Sequence, residues 1–160
     1  MDRTKRFRRY IREHPDMHED IFILRRGQQL PTHAEMDEME RNRLPYDIDP
    51  EIRQPVLELN RQGYRTCMSC AGHPSASGPN YRGYIGIGYG PKERTGTTVI
   101  RPAAERRIKE ILESQGLKRV NVEPSQRGRQ WVPVTFTGVG SKTNVSVRWL
   151  NQGRFRNRGR

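Results

Sequence analysis

Apolar residues recur at the spacing of an α-helix in three segments of the chain. The predicted helices are residues 32–42, 49–62 and 102–115. The first begins with Thr32 and Glu35, which have the spacing of a capping box. Gly63 follows the second segment and Gly116 follows the third. Glycine commonly ends a helix because it adopts the left-handed conformation without strain.

The second helix has two possible starts. Asp49 is a predicted N-cap, with Pro50 at the first helical position, where a missing N–H costs nothing. Pro55 complicates this prediction, because a proline either kinks a helix or marks its true first turn.

Alternating apolar and polar residues predict strands between and after the helices. The predicted strands are residues 84–89, 117–122, 131–139 and 145–149, and the last two form a hairpin. An apolar run at residues 20–24 is a further strand or a buried anchor. The order helix, glycine, strand occurs at both Gly63 and Gly116, which predicts two helices over one sheet.

We therefore expect an α+β fold with a mixed or antiparallel sheet. Two main helices cover one face of that sheet, and the tails are basic and disordered. The expected organisation is a basic N-terminal arm over residues 1–15, one α+β domain over residues 16–150 and an Arg-rich tail over residues 151–160.

The net charge of the chain says more about its binding partner than its hydrophobic pattern does. The 160 residues include 30 Lys and Arg against 18 Asp and Glu, a net charge of +12, and most of the basic residues are arginine. Arginine binds phosphate through two parallel hydrogen bonds and stacks on bases. The composition points to nucleic acid, with RNA preferred, and an anionic membrane surface is the alternative partner. Neither a bilayer-spanning apolar run nor the apolar block of a signal peptide is present, so we expect a cytoplasmic protein.

Basic residues concentrate at both ends of the chain. Residues 1–12 contain six basic residues and one acid, and they form either an amphipathic helix or a disordered arm, with the arm favoured in the free protein. Residues 154–160 alternate arginine with Phe, Asn and Gly. We expect both ends to bind phosphates and the tail to stack on bases. The predicted nucleic-acid contacts are Arg6, Arg8, Arg9, Arg154, Arg156 and Arg158.

One segment of this basic chain is acidic. From Glu35 to Glu51 there are seven acids and only two arginines. Charge runs of this kind usually lie on a solvated face. We expect the block to pair with arginines from elsewhere in the chain.

The reactive side chains cluster after the second predicted helix. Cys67, Cys70 and His73 follow a Cys-x-x-Cys-x-x-His spacing, and thiolate and imidazole are zinc ligands. The alternatives to a zinc site are a redox pair and two half-buried thiols that pack in a strand and turn. The candidates for a fourth zinc ligand are His14, His18 and His33.

A further interpretation makes Cys70 a functional thiol or hydrogen-bonding group, with His73 as a base or ligand. Gly72 would bring the backbone close to a bound molecule, and exposed N–H groups in such a turn can hold an anion. Gly86 and Gly88 lie on the strand face opposite to the isoleucines, and a face without side chains lets a ligand approach closely. These residues predict a small-ligand pocket with a glycine floor.

The same stretch resembles the tRNA wybutosine-synthesising methyltransferase family. That family has a Thr-x-Ser-Ser-Cys-Ser-Gly-Arg turn after a helix that ends in Asn. His73 here takes the place of the family's arginine, and Met68 takes the place of one serine. The turn, ending in His, is also similar to that of small uncharacterised proteins carried by phages and plasmids. The matching residues are Asp49, Ile52, Leu59, Asn60, Thr66, Ser69, Cys70 and Gly72.

Members of that family modify the hypermodified guanosine beside the anticodon of phenylalanine tRNA, with S-adenosylmethionine as methyl donor. The resemblance therefore implies S-adenosylmethionine as a cofactor. It also implies that the turn and the glycine face surround the ligand. The implied catalytic residues are Ser69, Cys70 and His73, and the implied ligand-binding residues are Thr66, Gly72, Gly86 and Gly88.

From the residues and the resemblance together, we expect an RNA-binding protein with a small-ligand pocket at the Cys-x-x-Cys-x-Gly-His turn. The first alternative is an S-adenosylmethionine-dependent methyltransferase that modifies tRNA. The second is a structural subunit that its tails hold in an RNA-rich assembly.

Overall fold

The structure, a computed structural model, describes residues 1–13, 30–73, 81–88 and 96–140. Within these ranges the chain forms four α-helices, a short 3-10 helix and four β-strands. The helices are α1 (Arg3–Glu13), α2 (His33–Arg41), α3 (Arg53–Arg61) and α4 (Pro102–Ser114), and the 3-10 helix is Pro50–Ile52. The strands are β1 (Thr66–Cys70), β2 (Arg82–Gly88), β3 (Asn121–Val122) and β4 (Trp131–Thr137).

The four strands form one antiparallel sheet in the order β1-β2-β4-β3. Its central pair, β2 and β4, stays in register from Arg82 opposite Thr137 to Gly88 opposite Trp131. The predicted α+β fold is confirmed, and the sheet is antiparallel rather than mixed.

One face of the sheet forms the hydrophobic core with α3 and α4. On β4, Val132, Val134 and Phe136 are each at most 1% exposed, as the alternation predicts. Ile85 and Ile87 of β2 lie in the same rows, opposite Val134 and Val132. The helices contribute Val56, Leu57 and Leu59 from α3 and Ile108, Ile111 and Leu112 from α4.

The helix ends follow the local signals of the sequence. Thr32 caps α2: its hydroxyl accepts the Glu35 N–H at 3.1 Å, and the Glu35 carboxylate accepts the Thr32 N–H at 2.9 Å. Pro55 is the third residue of α3, where a missing N–H breaks no helical hydrogen bond, so it marks the first turn. After α3 and α4, Gly63 and Gly116 have φ angles of 89° and 88°, the left-handed stops that were predicted.

Two strands differ from their predictions. Residues 66–70, interpreted either as part of a turn or as a strand that ends at Cys70, form β1, which pairs with β2 through a bulge between Thr66 and Ser69. The predicted strand at residues 117–122 shortens to β3, because Arg119 has a φ of 54° and interrupts the extended chain. Both differences depend on pairing partners and backbone angles that a local pattern does not specify.

α1 is an amphipathic helix packed on the domain, so a disordered arm is the wrong alternative for residues 3–13. Phe7 is 3% exposed and belongs to the hydrophobic core. Its ring centroid lies 6.1 Å from that of Tyr46, and Tyr10 stacks on Tyr46 at 4.4 Å. Burial in this aromatic cluster raises the pKa of Tyr10 to about 12. Apolar packing therefore orders a segment whose composition is mostly basic.

The acidic block pairs with arginines from elsewhere in the chain, as expected. Arg61 donates to both oxygens of Glu38, at 2.5 and 2.8 Å. Arg53 lies 3.9 Å from Glu35, and Arg6 pairs with an acid of α2 at 2.6 Å. These arginines are engaged within the domain.

Three predicted segments lie outside the described residues: the apolar run at residues 20–24, the strand at residues 145–149 and the tail at residues 151–160. Of the helices that the structure describes, none is long and apolar enough to cross a membrane.

We expect Phe7→Ala to lower the free energy of unfolding by about 3 kcal/mol, the usual cost of removing a buried phenylalanine ring. Urea denaturation measures this change. Arg8→Ala is the control, because Arg8 is an exposed residue of the same helix. Equal stability of the Phe7→Ala and Arg8→Ala proteins would show that α1 does not dock.

The α2 cap should make stability depend on pH. Burial alone would raise the pKa of Glu35, but the hydrogen bonds from Thr32 and Gln54 and the charge of Arg53 outweigh it, and the pKa is lowered. The ionised carboxylate therefore stabilises the fold above its ordinary pKa of 4.5, and this contribution is lost as the pH falls through the lower folded value.

Glu35→Gln should thus be less stable than the wild type at pH 7, and the difference should shrink at pH 3. Urea midpoints measured across this range test the expectation. Glu110→Gln is the control, since Glu110 makes an exposed pair with Arg107. A difference that stays constant with pH would contradict the assignment.

Candidate functional site

One buried carboxylate connects the turn after β1 to the start of the helical layer. Asp49 is 1% exposed and lies directly before the 3-10 helix. Its Oδ2 accepts the Ala71 N–H at 2.8 Å and lies 3.1 Å from His73 Nε2. Because an ionised carboxylate only accepts hydrogen bonds, this contact places the proton of a neutral imidazole on Nε2. The two donors replace water that the carboxylate loses on burial.

Cys70, the last residue of β1, completes a cluster with these two side chains. Asp49, Cys70 and His73 each offer one potential ligand atom, and the three atoms lie within 4.8 Å of one another. The side chain of His73 is only 7% exposed. The structure therefore brings together Cys70 and His73, as predicted, and adds a carboxylate.

Asp49 is a site residue that sequence reasoning assigned to helix capping. It does occupy the N-cap position, but its side chain makes no capping hydrogen bond. No local signal marked this role, because Asp49 lies in the acidic block, between Asp47 and Glu51. Its burial follows from the structure, in which the neighbouring Ile48 and Ile52 are 5% and 0% exposed.

Cys67 is separate from this cluster. Its thiol lies 3.7 Å from the carbonyl oxygen of Gly86, and burial raises its pKa. Cys67 lies beside Gly86, whereas Cys70 lies opposite Tyr84, two residues away along β2, so the predicted grouping of Cys67 with Cys70 and His73 is not what the geometry shows. His33, a candidate fourth ligand, is the first residue of α2, and its Nδ1 lies 3.3 Å from the guanidinium of Arg6 in α1. His14 and His18 lie outside the described residues.

The turn packs closely against neighbouring backbone at Gly72. Gly72 has a φ of 75°, and a Cβ there would lie 2.6 Å from the Gly83 nitrogen and 2.8 Å from the Gly138 Cα. The chain after β4 also pairs with the turn, because Val139 N–H donates to Ala71 at 2.8 Å and Gly140 N–H donates to Gly72 at 2.9 Å. Gly72 thus permits close contact between three backbone segments.

Protein atoms lie where Cβ atoms on the predicted glycine face would be. A Cβ on Gly86 would lie 2.9 Å from the Trp131 ring and 3.0 Å from the Cys67 sulfur. A Cβ on Gly88 would lie 2.5 Å from the Gln130 carbonyl oxygen. Cross-strand and neighbouring groups occupy the space that the missing side chains leave.

Two further predicted residues have structural partners. Thr66 is 6% exposed, and its hydroxyl accepts a hydrogen bond from Asn60 at 2.9 Å. Ser69 is half-buried in β1, opposite Ile85. The Asn60–Thr66 contact holds the end of α3 to the start of β1.

A cavity of 330 Å³ lies between the segment before α4 and the end of β3. None of the predicted site residues lines it. Its lining residues are Ile100, Glu105, Val122, Glu123, Pro124, Ser125 and Val132.

The sheet face opposite to the core carries two partly exposed aromatic residues that sequence reasoning did not single out. Tyr84 and Trp131 lie on this face, in rows with Thr135 and Gly88. The Arg129 guanidinium lies 4.0 Å from the centroid of the Trp131 ring. The alternation in β2 and β4 was the available signal, because it puts these residues opposite to the buried valines and isoleucines.

The N-terminal arginines differ in what they contact. Arg6 donates to Asp37 and to the His33 carbonyl oxygen, so its guanidinium is engaged within the domain. Arg9 pairs with Glu13 at 3.0 Å on the exposed side of α1, and Arg8 is exposed. The other predicted contacts, Arg154, Arg156 and Arg158, lie outside the described residues.

Comparisons with protein-family models, with curated proteins and with solved structures find no match to this chain.

The close packing of the turn gives a direct test. Gly72→Ala should cost about 1 to 2 kcal/mol for the left-handed conformation. It should cost about 1 to 3 kcal/mol more for the overlap with the neighbouring backbone. The difference in unfolding free energy from urea denaturation is the measurement.

Gly63→Ala is the matched control for this test. Gly63 also has a positive φ, of 89°, but a Cβ there meets nothing within 4 Å. It should therefore show the conformational cost alone. Equal losses at Gly63 and Gly72 would contradict the backbone packing of the turn.

Proposed function

We propose that this domain binds RNA, and that unpaired bases stack on the sheet face formed by β2 and β4. The observation that carries the proposal is the pair of partly exposed aromatic residues on this face, Tyr84 and Trp131, with Arg129 stacked on the tryptophan. Aromatic rings and guanidinium planes on an antiparallel sheet are a recurring surface for unpaired bases.

The spacing of the two rings suits neighbouring nucleotides. Trp131 leans over Gly86, two residues from Tyr84 along β2. This separation corresponds to about 7 Å along a strand. Each ring can then contact a different base of one RNA strand.

The charge distribution supports an anionic ligand at this face. The chain carries a net charge of +12, while the acidic block is paired with arginines of the domain. Exposed basic residues lie at both ends of β4: Arg82, Lys118 and Arg119 near one end, and Arg127 near the other. They can contact the phosphates on either side of the stacked bases.

The proposal is for binding and includes no methyl transfer. Trp131, Cys67 and the Gln130 carbonyl oxygen fill the glycine face on which a small ligand was expected to lie. Binding of S-adenosylmethionine stays a prediction of the resemblance, and no contact among the described residues favours it.

Trp131→Leu should weaken the binding of a single-stranded RNA by about 1 to 3 kcal/mol, the usual contribution of one aromatic–base stack. Leucine keeps apolar bulk over Gly86, which limits the effect on folding. Fluorescence anisotropy with a labelled oligonucleotide measures the change, and circular dichroism checks the fold.

A matched pair of arginine variants separates this face from general charge attraction. Arg129→Ala removes the cation stacked on Trp131, whereas Arg106→Ala removes an exposed cation from α4. The first should weaken binding more than the second at the same salt concentration. Equal losses in the two variants, with unchanged affinity in Trp131→Leu, would overturn the proposal.

A further inference from the structure

The cluster of Asp49, Cys70 and His73 combines three different ligand chemistries in a mostly buried place. A carboxylate oxygen, a thiol sulfur and an imidazole nitrogen lie within 4.8 Å of one another. The side chain of Asp49 is fully buried, and that of His73 is 7% exposed. The three residues come from the start of the 3-10 helix, the end of β1 and the following turn.

We propose that Asp49, Cys70 and His73 bind a zinc ion. The proposal does not depend on RNA binding. Thiolate and imidazole ligands select borderline and soft metals over Mg²⁺ and Ca²⁺, which prefer sites built from oxygen alone. One carboxylate, one thiolate and one imidazole give a protein ligand set that Zn²⁺ accepts.

The distances require only a small adjustment. Zinc bonds of about 2.0 to 2.3 Å put neighbouring ligand atoms about 3.3 to 3.6 Å apart in a tetrahedral site. The carboxylate oxygen and His73 Nε2 are already 3.1 Å apart. The three ligand atoms lie at most 4.8 Å apart, so the widest pair needs to approach by only about 1 Å to reach the tetrahedral spacing.

The surroundings hold the ligands in place. The Ala71 N–H donates to Asp49, an outer hydrogen bond of the kind that orients carboxylate ligands. The His73 ring packs directly against Gly140, whose N–H donates to Gly72. Two of the three ligands are thus positioned by backbone contacts that exist before a metal binds.

Binding requires two changes of protonation. The Cys70 thiol loses its proton to solvent, and His73 moves its ring proton from Nε2 to Nδ1 so that Nε2 can coordinate. Zinc then replaces the hydrogen bond between His73 and Asp49. Water, or a ligand from another part of the chain, takes the fourth position.

Metal titration of the chelator-treated wild-type protein is the primary test. We expect one equivalent of Zn²⁺ to bind and to raise the melting temperature, and we expect an excess of Mg²⁺ to have no such effect. Substitution with Co²⁺ should produce the charge-transfer absorption of a cobalt–thiolate bond. Failure of the folded wild-type protein to bind one equivalent of either metal would overturn the proposal.

The two cysteines provide a matched pair of variants. Cys70→Ser should abolish the cobalt–thiolate absorption and weaken zinc binding at least tenfold. Cys67→Ser should preserve both, because the Cys67 thiol lies against the Gly86 carbonyl oxygen instead. Loss of the absorption in Cys67→Ser, with its retention in Cys70→Ser, would also overturn the assignment.

Asp49→Asn and His73→Gln test the other two ligands. Asparagine can still accept the Ala71 N–H through its amide oxygen, so the fold should be retained, and circular dichroism verifies this. Each variant should weaken zinc binding at least tenfold. Full-affinity zinc binding in both folded variants would refute the proposed ligand set.

Discussion

The burial of the Asp49 carboxylate is the constraint on which the arrangement of this site depends. A buried charge is costly unless donors replace the lost water, and the donors to Asp49 include Ala71 N–H and His73 Nε2. They lie 22 and 24 residues further along the chain. Satisfying one carboxylate therefore ties the first turn of the helical layer to the end of β1, and it brings Cys70 to the same place.

Close contact between backbones keeps this turn in position. Gly72 meets the backbone at Gly83 and Gly138, and the ring of Phe136 covers Gly83 from the neighbouring strand. In these places a glycine leaves room for protein atoms rather than for a ligand. Such close packing restricts the backbone around the site, as precise positioning of ligand atoms requires.

The charges of the protein divide between internal pairing and exposed surface. α2 is rich in acids, and it neutralises Arg6 and Arg61 within the domain. Apolar packing of Phe7 holds α1 in place for the first of these pairs. Among the described residues, exposed basic side chains also lie near the two ends of β4. The proposed RNA-binding face and the proposed zinc site thus lie on neighbouring strands but use different residues.

The sequence by itself determined the elements whose signals are local. The capping box of Thr32, the glycine stops after α3 and α4, and the alternation that buries Val132, Val134 and Phe136 all follow from neighbouring residues. Tertiary structure decided which distant groups meet. It placed Asp49 against the turn, set Cys67 beside Gly86 but Cys70 beside Asp49 and His73, and laid Trp131 over Gly86. These contacts depend on strand register and on burial across tens of residues, which no local pattern encodes.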